Sequence, residues 1–345
     1  TADIVSIRVM DDRGVAMTSD VIAAADWILK QKDTYNIRVA NFSLHSAKGN
    51  SFKFDPLDHA VERLWFSGVT VVAAAGNFSD GTPQNMYYAP ANDPFVITVG
   101  AADPVGTVES ADDGIAYWSA YGYTGDGFAK PELSAPGRYI VGAVPPAASL
   151  PVTRPEKVVA PGYMRLSGSS FAAPIVAGAA AQLLALRPEW GPDEVKGALM
   201  QAAQPLQTGN SLADGIGEID LAAAARIATP ANPNSALRRF VVADANVPGG
   251  LTFDAAAWNA AASGDPMWDA ASFADASYAD ASFADASFAD AYFASASYAD
   301  ASYADASFAD ASFADASYSD ASYSDASYSD ASYSDTSSAD AASDD

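Results

Sequence analysis

Cysteine is absent from all 345 residues. Thiol catalysis, disulfides and cysteine-based zinc sites are excluded with it. Histidine is nearly absent, with only His45 and His59. Basic residues are scarce, 18 against 43 acidic ones, giving a net charge of −25. That balance argues against nucleic acid as a partner, because phosphates need Lys and Arg, and against anionic membrane surfaces. The scarcity is uneven. All 18 basic residues lie in 1–264 with 26 acidic ones, whereas 265–345 holds 17 Asp and no Lys, Arg or Glu. A long membrane-type run is also missing. The longest apolar stretch, Phe171 to Leu186, is Ala-rich, contains Pro174 and falls short of the ~20 residues a span needs. It is expected to be a buried helix. The chain opens on Thr1 rather than Met, with no signal-peptide pattern.

What is present up to about residue 228 reads as alternating strands and helices. The β-branched alternation of Ile4 to Val9 predicts a strand. Ser19-Asp20 can cap a helix carrying Val21, Ala24, Ile28 and Leu29. Ile37 to Leu44 predicts a second strand, and Asp58 to Phe66 a helix stopped by Gly68. Val69 to Ala75 is nearly all apolar, as a central parallel strand should be, and Phe95 to Val99 predicts another. Ser170 to Arg187 reads as a long helix ended by Pro188, and Pro192 opens the next, through Ala203. The alternation implies an α/β fold, a parallel sheet with helices on both faces. Pro, Asn and Gly then accumulate, so 229–264 reads as a linker with one short strand at Arg239 to Val242.

From 265 to 345 a five-residue unit, Ala-Ser-Phe/Tyr-Ala/Ser-Asp, repeats with aromatics from Phe273 to Tyr333. An odd period puts successive aromatics on alternate faces of a flat strand. On a helix, 500° steps walk them around the surface. A solenoid turning every five residues would point each ring inward, and the unit resembles pentapeptide repeats. Yet seven of the 13 central residues are Tyr, whose buried hydroxyls need partners. A disordered acidic tail is the competing reading, and the sequence leaves both open.

The chemistry concentrates in Gly168-Ser169-Ser170-Phe171-Ala172-Ala173-Pro174. A serine hydroxyl needs a base before it attacks. At a helix N-terminus, the free backbone N–H groups and the dipole favour negative charge on the reacting oxygen. Gly168 permits close backbone approach, and Pro174 is expected to be tolerated because the first turn does not need its N–H. The competing reading is a capping serine among small packing residues. A second segment, Ala73-Ala74-Ala75-Gly76-Asn77, puts an asparagine just past a central strand, where open α/β sheets bind ligands. Its amide can donate to an oxyanion; alternatively Gly-Asn is only a turn.

Together these segments resemble the subtilisin-like peptidases, the subtilase family. The family's nucleophile motif is Gly-Thr-Ser-Met-Ala-x-Pro, so Ser169 stands for Thr and Phe171 for Met. Its oxyanion asparagine maps to Asn77. Asn41-Phe42-Ser43-Leu44 matches the family's substrate-pairing strand, and Lys130-Pro131-Glu132-Leu133-Ser134-Ala135-Pro136-Gly137 a further motif. Pro192 to Val195 and Gly215-x-Gly217-x-x-Asp220 match its C-terminal helix segments. The resemblance runs from about Ile4 to Ile227. It implies a subtilisin-like fold over 1–228 and serine endopeptidase activity on polypeptides. Ser170 would be the nucleophile and Asn77 the oxyanion donor. Substrate would bind at Ser43, Leu44 and His45 and along Ala74, Ala75 and Gly76. The chemistry requires no cofactor. The family also admits calcium as a structural ion, although no ligand cluster localises one. A secreted monomer without a membrane span is expected.

One departure qualifies this. The family's triad runs Asp, His, Ser, with Asp-Thr/Ser-Gly and His-Gly-Thr-x-Val-Ala motifs that are not found here. His59 sits on a predicted helix surface. His45 falls on the substrate-binding edge, the wrong side of the nucleophile for proton abstraction. The triad Asp and His are therefore expected upstream of Thr1, in an incomplete sequence. If the chain is complete as given, the alternative is a non-catalytic binding module or pseudopeptidase.

Overall fold

A computed structural model describes residues 2–264 apart from 12, 13, 108–111, 146, 207 and 209. The five-residue repeat lies outside the described residues. The first long element is α1 (Thr18–Tyr35), followed by β1 (Val39–Phe42), α2 (Pro56–Phe66), β2 (Thr70–Ala74) and β3 (Ile97–Asp103). Short strands β4 (Gly114–Ile115), β5 (Gly122–Tyr123) and β6 (Ala129–Lys130) lead to β7 (Leu133–Pro136). Next come β8 (Ile140–Ala143), the one-turn α3 (Leu150–Thr153), β9 (Val158–Ala160) and β10 (Tyr163–Leu166). Then follow α4 (Ser169–Leu186), α5 (Pro192–Ala202), α6 (Ser211–Asp214) and α7 (Leu221–Ala224). The described chain closes with β11 (Val241–Ala243), β12 (Leu251–Phe253) and α8 (Ala255–Gly264).

The main sheet pairs β1, β2, β3 and β7 in parallel, with β4 antiparallel on the far end of β3. Every residue of β2 is buried, as the unbroken apolar run required. On one side α4 crosses β1, β2, β3 and β7. Helices α2 and α5 also meet β2 and are tied together by Trp65 Nε1 donating to Asp193 at 2.8 Å. Helix α2 starts where Asp55 accepts from the Leu57 N–H at 2.8 Å, a side-chain cap. It buries Ala60, Val61 and Leu64 and stops at Gly68, whose φ of 89° suits glycine.

Three expectations change. Ile4 to Val9 forms no strand. Ile7 and Val9 do turn toward the core, but Ile4 is 92% exposed and no described strand pairs with the segment. The alternation was right for side-chain facing but carried no information about a pairing partner. Helix α4 is only half-buried: Pro174, Ile175, Gly178, Gln182 and Leu186 lie exposed along one side. An Ala-rich run has no polar stripe by which to tell covered from open faces. The same helix meets the length and hydropathy of a membrane span, but here it lies across a sheet. Finally, 229–264 does more than connect. Leu237, Phe240, Phe253 and Trp258 are buried in the main core, and β11 pairs with β12. Four apolar anchors spaced among Pro, Gly and Asn gave no periodicity to read.

Candidate active site

The site forms where β1, β2 and β7 end and α4 begins. Gly168, the N-cap of α4, is held by its N–H donating to Gly137 O at 2.8 Å. Ser169 and Ser170 are the first two helical residues. A Cβ on Gly168 would come within 3.3 Å of Asn77 Nδ2, so glycine lets the Asn77 loop approach.

Ser169 positions Asn77. Its N–H donates to Asn77 Oδ1 at 2.8 Å, and its hydroxyl donates to the same oxygen at 3.1 Å while accepting from the Gly76 N–H at 3.0 Å. A backbone N–H can only donate, so the atom facing it must be the amide oxygen. That fixes the orientation of the Asn77 amide and leaves its NH₂ as the free end, with no partner among the described residues. The Ser170 N–H likewise has no acceptor there. Two unused donors thus sit at the N-terminus of a helix, where the dipole adds to them.

Ser170 itself is half-buried. Its hydroxyl donates to Ser43 O across a long 3.5 Å. In return Ser43 Oγ donates to Ser170 O at 3.0 Å and accepts from Asn41 Nδ2 at 2.9 Å. This second bond revises the account of Pro174. Pro174 is the sixth residue of α4, and its missing N–H is the one that would have bonded to the carbonyl four residues back, Ser170. Ser43 supplies the lost donor. The proline therefore ties the nucleophile turn to the end of β1.

The sequence-predicted binding residues separate into two groups. Ser43, Leu44 and His45 leave β1 beside Ser170, and His45 and Asn77 are exposed. Ala74, Ala75 and Gly76 are buried and internally bonded. The Ala75 N–H donates to Val99 O at 3.0 Å, and Gly76 O accepts from the Ala120 N–H at 3.0 Å. The Phe78 ring also covers Gly76, lying 2.3 Å from where a Cβ would stand. Ala74 to Gly76 thus form a wall, and the backbone open to an added strand is that of Ser43 to His45. Phe78 and Tyr88 were not anticipated. They cluster with His45, at centroid distances of 5.5 Å for Phe78–Tyr88, 6.3 Å for His45–Phe78 and 5.3 Å for His45–Tyr88. Only the position of Phe78 next to Asn77 could have signalled this.

Neither histidine hydrogen-bonds to Ser170. His45 Nδ1 lies 2.8 Å from Ser46 O, and His59 Nε2 lies 2.9 Å from Lys53 O. Among the described residues no group of three or more His, Asp or Glu can hold a metal ion.

A serine at a helix start, an oriented asparagine amide and an open strand end meet at one edge of a parallel α/β sheet. Residues 1–235 match the subtilase family, and the chain belongs to that family. It is 32% identical over 200 residues to serine protease AprX of Bacillus subtilis (strain 168), covering 56% of this chain and 45% of that one. It is 31% identical over 221 residues to subtilisin DY of Bacillus licheniformis, covering 64% and 67%. A solved cold-adapted subtilisin-like serine proteinase matches at 29% identity and a TM-score of 0.45, covering 62% and 63%. The chain thus spans less than half the length of AprX.

Proposed function

We propose that the whole protein is a serine endopeptidase acting through an acyl-enzyme on Ser170. The observation that carries this is the orientation of Asn77 by Ser169, which leaves an amide donor beside the nucleophile turn. An extended polypeptide adds as a strand along Ser43 to His45. Ser170 Oγ bonds to the scissile carbonyl carbon as its proton passes to a base. The carbonyl oxygen takes the charge and accepts from Asn77 Nδ2 and the Ser170 N–H. Return of the proton to the leaving amine breaks the C–N bond, and water then hydrolyses the ester by the same path. The base and its orienting carboxylate are assigned to an imidazole and an Asp outside this sequence. We also assign the protein to the extracellular space, as a monomer, with any calcium confined to a structural role.

A second reading is favoured by the absence of any histidine contact to Ser170. In it the chain binds polypeptide without cleaving it. A fluorophosphonate probe separates the two. In the whole protein it should label Ser170, and Ser170→Ala should abolish labelling and reduce hydrolysis on the order of 10⁶-fold, the scale found for subtilisin itself. Binding of peptide with no labelling would leave only the second reading. The coding sequence upstream of Thr1 gives an independent check, since the peptidase reading requires Asp-x-Gly and His-Gly-Thr motifs there.

A further inference from the structure

A groove of 630 Å³ is lined by Asp103, Val105, Arg138, Tyr139, Val141 and Arg165 among others. Its chemistry is mixed. Arg138 is ion-paired with Asp103 and lies 4.8 Å from the centroid of the Tyr139 ring. The Arg165 side chain is exposed and has no hydrogen-bond or ion-pair partner among the described residues. Val141 pairs across the strands with Arg165, on the outward face of β8 and β10. Val141 is 50% exposed, Tyr139 55% and Val105 56%. The open face thus carries an exposed guanidinium, an aromatic ring and two valines.

The backbone is strained on both walls. Val105 has φ of 42° and Tyr139 φ of 59°, the left-handed region that β-branched and bulky residues avoid. Such strain collects at ligand clamps. Both residues line the groove, and the Tyr139 N–H is anchored to Ser167 Oγ at 2.9 Å.

We infer that this groove binds a Phe/Tyr-Ala/Ser-Asp unit from the chain's own 265–345 repeat. Residues 1–264 carry 18 basic against 26 acidic residues, so most of their surface repels a segment of 17 aspartates. The groove with the unpaired Arg165 does not. Twelve of the thirteen units carry a ring and a carboxylate two residues apart, roughly 7 Å in extended chain. The carboxylate meets Arg165 in a charge-assisted bond, and the ring rests on Tyr139 and Val141. Thirteen aromatic units on one tether raise the local concentration of a weak ligand. The 81 residues reach far beyond any distance on the domain. The inference does not depend on Ser170 being a nucleophile.

Carbodiimide cross-linking of the full chain tests it. Arg165→Lys puts a primary amine in the groove at an exposed strand position. Trypsin leaves the repeat in one fragment, because Arg239 is the last basic residue. The expected product joins that fragment to the peptide containing position 165, within one chain, in at least fivefold higher yield than to the exposed Lys30 or Lys48. Adding Tyr139→Ala should cut that yield about fivefold. Equal yields at all three positions, indifference to Tyr139→Ala, or cross-links only between isotopically distinct chains would each overturn the proposal.

Discussion

The two ends of the main sheet treat polar groups in opposite ways. At the C-terminal end, Asn77 Nδ2 and the Ser170 N–H are donors without partners among the described residues, on an exposed and a half-buried residue. At the N-terminal end, Lys130, Glu132 and Lys196 are 1%, 2% and 0% exposed and form a closed network. Glu132 Oε1 accepts from Lys130 Nζ at 2.5 Å and Lys196 Nζ at 3.0 Å, and its Oε2 accepts from the Thr98 N–H at 2.8 Å. The ammonium groups also donate to Asp93 O and Pro94 O, at 2.6 and 2.9 Å. Burial alone would raise the Glu132 carboxyl, but the two lysines outweigh it and hold it below its ordinary value. Unused valence is thus kept where chemistry needs it. Where the sheet and α5 must be locked together, Lys130, Glu132 and Lys196 consume it.

The largest expected effect falls on the closed end. Glu132→Gln removes the one carboxylate that pairs with both buried ammonium groups, a change worth about 3–5 kcal/mol. For a domain of this size that lowers Tm by roughly 10 °C. Below the new Tm, fluorophosphonate labelling of Ser170 should persist. Loss of labelling in a still-folded variant would show that the two ends are coupled.

Asn77→Asp sharpens the same contrast from the other end. The variant keeps the oxygen that accepts from Ser169 but removes the NH₂ donor. Hydrolysis by the whole protein should fall about 10²–10³-fold in kcat, the loss established for the corresponding asparagine of subtilisin itself. KM and Tm should stay nearly unchanged. A similar fall in Tm would mean Asn77 acts by holding the loop.

How much of this was legible beforehand follows from which interactions are local. Ser170 and Asn77 could be read because each sits in a short segment whose residue types carry the chemistry. The bond from Ser43 that replaces the Pro174 donor could not, since it joins positions 127 residues apart. The charge network was visible only as a motif at Lys130-Pro131-Glu132. Its third member, Lys196, arrives from α5 by tertiary packing. The core role of Phe253 and Trp258 escaped for the same reason, because isolated aromatics in a Gly- and Pro-rich stretch have no period. The clustering of acids on α2 was also hidden, since Asp58 and Glu62 look like a solvated face until α2 is packed.

Those acids give the smallest effect and the clearest sign. Neither oxygen of Asp58, nor Glu62 Oε1, nor Asp93 Oδ2 has a hydrogen-bond partner among the described residues. Burial pushes all three carboxyls up, Asp93 to about 7. Asp58 is raised further by the charges of Asp93 and Asp55 and eased first by the nearby Asn92 amide and then by Lys130; Glu62 is raised by Asp93 and Asp58 and eased by Arg63. Outside this cluster, burial first and then Asp113 lift Glu218 to about 8. A folded value above the unfolded one, roughly 4 for a carboxyl, means the folded state holds more protons. The associated stability is complete below about pH 4 and drains away as pH rises through about 7 and about 8. Tm should therefore be higher at pH 5 than at pH 8. Asp58→Asn, which needs no proton to stay neutral, should raise Tm at pH 8 and leave it nearly unchanged at pH 5. A Tm that is flat or rising across that range in the parent chain would mean the buried carboxyls are ionised and matched by cations. The contrast between the two ends of the sheet would then be one of exposure alone.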